Sequence, residues 1–393
     1  MVPNLYWHIK QLVLTCVGFT AVNLASAQTI APDIPFEKRT ANSPTTVLAN
    51  QELADIPQFI VDPFWPKPLP NNWLIGQVSG VHVDATDNIW IVQRPRSLAG
   101  RDIGATLDPP LSKCCFPAPP VIEFDQSGNL LRAWGGPGDG YDWPRSEHGI
   151  HIADGFVWLA GNAQGDNQIL KFTMDGEFVL QIGSPDQSTG SNDTDNLGRP
   201  ADLFVDVEAN EVYVADGYGN RRIIVFDTET GAYKRHWGAY GNTPDDEPLP
   251  TYNPTATPSR QFGNPVHCVQ LSLEGHVYVC DRTNNRVQIF QADGTFISES
   301  FFEPDTLMNG SVYDLAFSLD PAQRLMFMVD GMNSEVRIIE RASNITQGRI
   351  GRAGRSAGQF YSVHDITIDS QGNLYTTEVQ TGQRVQKFRR LSQ

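Results

Sequence analysis

Three histidines, His148, His267 and His364, open three similar segments, HGIHIA, HCVQLS and HDITID. Neutral imidazole is a common metal ligand. Three imidazoles converging on one point, with a fourth position open, describe a catalytic type of zinc site. Two arginines, Arg94 and Arg282, follow other similar segments, IWIVQR and VYVCDR, and Tyr218 follows VYVADG. A guanidinium fork suits bidentate binding of a carboxylate. A tyrosine flanked by cations and a metal can serve as a general base. A metal, a base and an anion clamp would together suffice for acid–base chemistry on a small substrate.

These residues can meet only if the chain repeats itself in space, and it does. Six copies share one pattern: an alternating strand, a turn, a second strand ending in a polar residue, a polar turn, and a third strand. The copies begin at Ser79, His148, Ala201, His267, Tyr313 and His364, and each has room for a fourth strand. Period-2 alternation with Gly, Asn and Asp at the turns predicts antiparallel hairpins. Repeats of this length with four strands each predict propeller blades. The sixth copy ends near Arg390 with three strands, and the apolar stretch Gln58-Phe59-Ile60-Val61 is available to supply the fourth. The expected fold is all-β, a single six-bladed β-propeller over residues 57–390, closed by an N-terminal strand that leaves no open edge.

In such a ring every first strand lines the central channel and runs the same way. Histidine occupies the opening position of copies two, four and six, which places three imidazoles about 120° apart around one axis. Second strands return to the same rim, so Gln93-Arg94, Asp216-Gly217-Tyr218 and Asp281-Arg282 should surround the metal, with the two arginines on opposite sides. Strand parity predicts His82 and His151 on the face away from the ligand position. His236 and His276 are expected to be packing or surface residues.

Composition narrows the function. The chain has 393 residues, 29 Lys plus Arg against 45 Asp plus Glu, and a formal net charge of −16. It has no basic run suited to a phosphate backbone, so neither nucleic acid nor an anionic membrane is an expected partner. Residues 1–27 read as a signal peptide ending at Ala25-Ser26-Ala27, and residues 28–56 as a flexible leader. The mature protein is expected to be exported, soluble and monomeric. Export permits disulfides. Cys268 and Cys280 flank a hairpin turn at Leu273-Glu274-Gly275 and could form a cross-strand disulfide or remain two buried thiols. Cys114-Cys115, in the Pro-rich DPPLSKCCFPAPP, could form a vicinal disulfide or a metal-binding pair, but a plain loop is the expected reading.

The repeat resembles the NHL repeat, and the chain more narrowly resembles the peptidyl-α-hydroxyglycine α-amidating lyases. The residues that carry the resemblance are QVSGVHVDATDNIWIVQR, HGI at His148, DGYGN at Asp216, DRTNNR at Asp281 and VHDI at Val363. It implies zinc bound by His148, His267 and His364, Tyr218 as base, and Arg94 and Arg282 as active-site arginines. It also implies a structural calcium bound by Asp365 and the carbonyls of Val81 and Ile150. The implied substrate is a peptide or small molecule ending in α-hydroxyglycine, cleaved to an amide and glyoxylate. Two departures stand out. Gly219 occupies the place of a cysteine found in animal members, and Val266 and Val363 stand where the family commonly has proline. No copper-monooxygenase segment is recognisable, so the hydroxylated substrate is expected from elsewhere. Two other functions fit the same ring: a different metal-dependent propeller enzyme, such as a lactonase or other hydrolase, and a non-catalytic exported binding propeller.

Overall fold

The computed structural model describes residues 56–392. The expected signal peptide, and the leader apart from Ile56, lie outside the described residues. Six four-stranded antiparallel sheets follow one another along the chain. Blade one, for example, is built from Gln77–Val83, Ile89–Arg94, Val121–Phe124 and Leu130–Trp134. The six first strands touch in sequence, and the last, Val363–Ile368, touches the first, Gln77–Val83.

Each blade packs both faces against its neighbours, which explains its strand patterns. Most second strands are apolar between their ends: Ile89 to Val92 and Val212 to Ala215 are fully buried. The outer strands FVLQIG and YKRHW alternate less strictly and begin exposed. The apolar core is divided into six clusters, one between each pair of adjacent blades. The seam between blades six and one is filled like the others, with Tyr375 and Val385 packed against Val81, Ile89 and Phe124.

Phe59–Asp62 is the fourth strand of blade six. It pairs antiparallel with Arg384–Arg390, Phe59 opposite Arg390 and Asp62 opposite Lys387. Ile56, Phe59 and Val61 join the cluster between blades five and six. Burial of three such side chains is worth on the order of 5 kcal/mol. Deleting residues through Asp62 should therefore bare the edge of Arg384–Arg390, lower the melting temperature strongly and promote aggregation. Deleting only residues 28–50 keeps this strand and should melt near the parent. Equal melting temperatures for the two truncations would contradict the closure.

The polar residues at the ends of second strands are mostly scaffolding. Asp216 pairs with Arg222 and Asp281 with Arg286, all four fully buried, while Asp330 pairs with Arg337 and Glu378 with Arg384. Asp216 also accepts from the Gly198 amide (2.6 Å), and Asp281 from the Gly263 amide (2.8 Å). These pairs tie each second strand to the segment entering its blade. They account for the recurring Asp and Arg of the repeat without catalysis.

Both cysteine pairs are disulfides. Cys268 lies directly opposite Cys280 across the first two strands of blade four, one residue beyond His267. The Cys114–Cys115 link corrects the expectation of a plain loop. The loop's end, Phe116–Pro117, also pairs with Trp73–Leu74, which ties the excursion after Arg94 back to the entry of blade one. Among the described residues no helix is long and apolar enough to cross a membrane.

Candidate metal centre and its surroundings

The opening positions of the copies are where the first strands break register. Five of the six strands carry a bulge there, at Ser79, His148, His267, Tyr313 and His364. A bulge inserts an unpaired residue and re-aims its side chain. It brings His148, His267 and His364 into one buried cluster, with one nitrogen from each ring all within 4.8 Å of one another.

The remaining opening positions have a complementary job. Nδ1–H of His148 donates to the Ala201 carbonyl (2.7 Å), that of His267 to the Tyr313 carbonyl (2.6 Å), and that of His364 to the Ser79 carbonyl (2.9 Å). Each of the three clustered histidines is thus oriented by the backbone of the next blade. A carbonyl can only accept, so each ring carries its proton on Nδ1 and presents a bare Nε2 to the axis. Burial, followed by the neighbouring cationic and imidazole groups, holds all three far below the ordinary histidine range. They are neutral at pH 7 and ready to hold a metal ion, and the cluster fits one.

Tyr218 reaches this point from blade three. Its hydroxyl lies 3.0 Å from His148 Nε2 and 3.2 Å from His267 Nε2, and accepts from Arg282 Nη1 at 3.2 Å. The approach depends on small neighbours. A Cβ on Gly217 would come within 2.0 Å of the Val266 carbonyl oxygen, next to His267, and one on Gly219 within 2.7 Å of the Gly198 carbonyl oxygen. The Gly219 amide donates to that same carbonyl (2.7 Å) and the Tyr218 amide to Arg199 O (3.2 Å). Backbone hydrogen bonds between residues 198–199 and 218–220 therefore hold the loop where the resemblance led to a missing disulfide.

Arg94 is fixed by three acceptors: the Glu147 carbonyl (2.7 Å), Gln77 Oε1 (3.1 Å) and Asn162 Oδ1 (3.4 Å). The structure so brings together His148, His267, His364, Tyr218 and Arg282 by direct contact, with Arg94 held beside Glu147, the residue preceding His148.

Beyond the histidines the channel widens into a cavity of about 440 Å³ lined by first strands of all six blades. Val81, Ile150 and Asp365 line it, and so do Asp202 and Asp314. Burial and then the neighbouring carboxylates push Asp202 and Asp365 well above the usual carboxylate range, and burial raises Asp314 as well. Asp314 Oδ1 is buried without a hydrogen-bond partner. One buried acid, Asp314, with an unpartnered oxygen and two half-buried ones, Asp202 and Asp365, fit a hard cation held by oxygen. Asp202 and Asp314 were missed in the sequence, although both stand in the column of Asp365, one residue past the opening position.

His82 and His151 correct the parity argument. They line this same cavity, their rings 4.2 Å apart. The bulges at Ser79 and His148 shift the alternation by one, so residues three positions further on return to the channel side. Burial lowers His82 to about 4 and takes His151 well below its ordinary value. His236 contacts Tyr233 and Asn192 on an outer strand, in keeping with a surface role.

Arg199 and Asn162 were also missed. Arg199 donates to the Asn162 carbonyl (2.8 Å), and its guanidinium lies 5.7 Å from the Tyr218 ring centre. Both residues sit outside the strands; Asn162 holds the repeat position of Arg94 and Arg282 and was readable there, whereas Arg199 precedes its blade in a stretch where the copies do not align.

No protein-family profile matches the chain. Peptidyl-glycine alpha-amidating monooxygenase A of Xenopus laevis is 30% identical over 250 residues, which is 61% of this chain and 24% of that protein. NHL repeat-containing protein 3 of Mus musculus is 26% identical over 249 residues, 60% of this chain and 58% of its own length. The matches span about half the length of the NHL repeat-containing relatives and about a quarter of the monooxygenases. A solved structure from Bacteroides thetaiotaomicron VPI-5482, of unknown function, superposes with a TM-score of 0.51 at 11% identity. It covers 81% of this chain and 70% of that one, and bears on the fold alone. The chain is a six-bladed propeller distantly homologous to NHL repeat-containing protein 3 and to the lyase-domain region of the peptidyl-glycine alpha-amidating monooxygenases.

Proposed function

We propose that the protein is a zinc-dependent lyase that cleaves an N-acyl or peptidyl α-hydroxyglycine to an amide and glyoxylate. One observation carries the reading: the Tyr218 hydroxyl stands 3.0 and 3.2 Å from the bare nitrogens of two of the three clustered histidines. A proton acceptor is thereby aimed at the point where a metal ion would sit.

Zinc held by His148, His267 and His364 would supply Lewis acidity toward a hydroxyl oxygen. Tyr218 takes the hydroxyl proton. The carbon–oxygen bond becomes a carbonyl as the carbon–nitrogen bond breaks, its electron pair leaving with the nitrogen. That nitrogen regains a proton, giving the amide, and the aldehyde released is glyoxylate. Arg94 holds the substrate carboxylate. Arg282, already donating to the Tyr218 oxygen, keeps the base oriented. We assign the second ion as calcium, bound by Asp365 and the carbonyls of Val81 and Ile150, with Asp314 and Asp202 adding negative charge. The unpartnered Asp314 oxygen supports a cation there. The two disulfides support the proposal of an exported protein.

The test is direct. Purified protein incubated with N-benzoyl-α-hydroxyglycine should release glyoxylate and benzamide in equal amounts, well above the buffer rate. Elemental analysis of the same preparation should find one zinc and one calcium per chain. Zinc without glyoxylate would sink the lyase reading and turn attention to hydrolysis by the same ring. Absence of zinc would overturn the metal assignment itself.

A further inference from the structure

The reaction just described uses two of the arginines around Tyr218 and leaves a third without a task. Arg199 spends its Nε on the Asn162 carbonyl (2.8 Å), the same residue whose side chain accepts from Arg94 (3.4 Å). Its guanidinium lies 5.7 Å from the Tyr218 ring centre, and that of Arg282 lies 5.5 Å from the same centre. Arg94, Arg199 and Arg282 therefore form one arc, linked through Asn162 and Tyr218.

None of the three has a carboxylate partner among the described residues. The acids nearby are largely committed, although Glu147 keeps one buried oxygen without a hydrogen-bond partner. Glu147 accepts from Arg96 (3.1 Å) and the Trp143 indole (2.8 Å). Asp166 accepts from the amides of Arg145 (2.8 Å), Ser146 (3.1 Å) and Ala163 (2.9 Å). Asp216 and Asp281 are neutralised by Arg222 and Arg286. Arg282, 92% buried by its 8% exposure, keeps an Nε with no hydrogen-bond partner. Glu147 offsets part of the Arg94 charge at a distance, but no carboxylate among the described residues contacts Arg199 or Arg282; three clustered guanidiniums with so little counter-charge are costly to assemble, and a bound anion lowers that cost.

One substrate carboxylate balances one guanidinium, and Tyr218 acting as base balances a second. We propose that Arg199 forms a subsite for a further anionic group, so that the preferred substrates are dianionic N-acyl α-hydroxyglycines with an acid on the acyl side. The inference rests on the lyase reading for the identity of the substrate. It rests on the arginine arc alone for the second negative charge. The second acid belongs to the acyl side because Arg94 already takes the glycine carboxylate. Arg199 is a specificity-determining residue in this account and takes no part in moving protons.

The experiment compares N-succinyl-α-hydroxyglycine, a dianion, with N-benzoyl-α-hydroxyglycine, a monoanion, on the wild-type protein and on Arg199→Gln. The quantity read is the ratio of their kcat/KM values, succinyl over benzoyl. Glutamine should lower that ratio by about 10- to 100-fold, the usual worth of a charge-assisted pair, mainly through a higher KM for the succinyl compound. An unchanged ratio would overturn the subsite. That includes an equal fall on both substrates, the signature of an arginine that only supports Tyr218. A second measurement needs no turnover. Calorimetry with the unreactive N-succinylglycine and with hippurate should show tighter binding of the dianion, and Arg199→Gln should erase the difference. If neither carbinolamide is cleaved while calorimetry still shows an Arg199-dependent preference, the lyase reading fails and the anion subsite stands. Equal binding of the two probes by the wild-type protein would refute the subsite whatever the reaction.

Discussion

Replacing His148, His267 or His364 by alanine is expected to strip the protein of most of its zinc and to reduce glyoxylate release on the order of 10³-fold. A metal acting as Lewis acid is worth several kcal/mol of transition-state stabilisation, and each ~1.4 kcal/mol is tenfold in rate. The three variants should differ little in activity, because each leaves two ligands of three. Their folds should survive. Each ring is buried within the channel, but its only protein contacts through nitrogen are to one carbonyl of the next blade and, for His148 and His267, to Tyr218. Elemental analysis, near-ultraviolet circular dichroism and thermal melting check the three claims separately. Full zinc retention in all three single variants would remove the metal site from the account. Lost zinc with unchanged turnover would show that the ion is not part of the reaction.

The second large effect concerns Tyr218. Phenylalanine keeps the ring between Arg199 and Arg282 and deletes the atom that hydrogen-bonds to His148, His267 and Arg282. The variant should keep its zinc and its melting temperature, while kcat falls by roughly 10²–10⁴-fold, the usual contribution of a positioned base. KM should move far less, since the lost interaction belongs to the transition state. Arg94→Ala is the contrasting variant: if Arg94 grips the substrate carboxylate, its KM rises along with any loss in kcat. A Tyr218→Phe protein turning over a carbinolamide at near wild-type rate would leave the zinc site standing and end the proposed role of the phenol.

The propeller was readable because every blade repeats one alternating pattern, so six weak signals reinforce one another. The histidine column was readable for the same reason: His148, His267 and His364 share a repeat position. What escaped has physical causes. The groups that orient the histidines are the carbonyls of Ala201, Tyr313 and Ser79, and a carbonyl leaves no trace in residue identity. The bulges that aim the histidines also reverse the parity downstream, which misplaced His82 and His151. Asp202 and Asp314 occupy the column of Asp365 and could have been read from the alignment already made. Asn162 stands in the column of Arg94 and Arg282 and could have been read there too, whereas Arg199 lies between strands, where no repeat register exists to compare it. That Gly217 and Gly219 must be small is not legible in the sequence; it follows from the closeness of Val266 and Gly198.

The strand Phe59–Asp62 pairs with residues more than three hundred positions later, and this sets an order of events. Blades one to five can each form from neighbouring sequence. The sixth cannot be finished until Arg384–Arg390 has emerged, because its outer strand, Phe59–Asp62, is made more than three hundred residues earlier. Loop-closure entropy rises only slowly with length, but contacts this distant are among the last to form. The junction they seal lies between blades six and one. His364 is in blade six, and the carbonyl that orients it, Ser79 O, is in blade one. The third ligand is therefore aimed only when the ring is shut. An ion that requires all three histidines binds the closed ring and not the open one, and its binding free energy becomes free energy of closure. A metal ion held there would double as a latch, and its occupancy would read out whether a newly made chain has completed its circle.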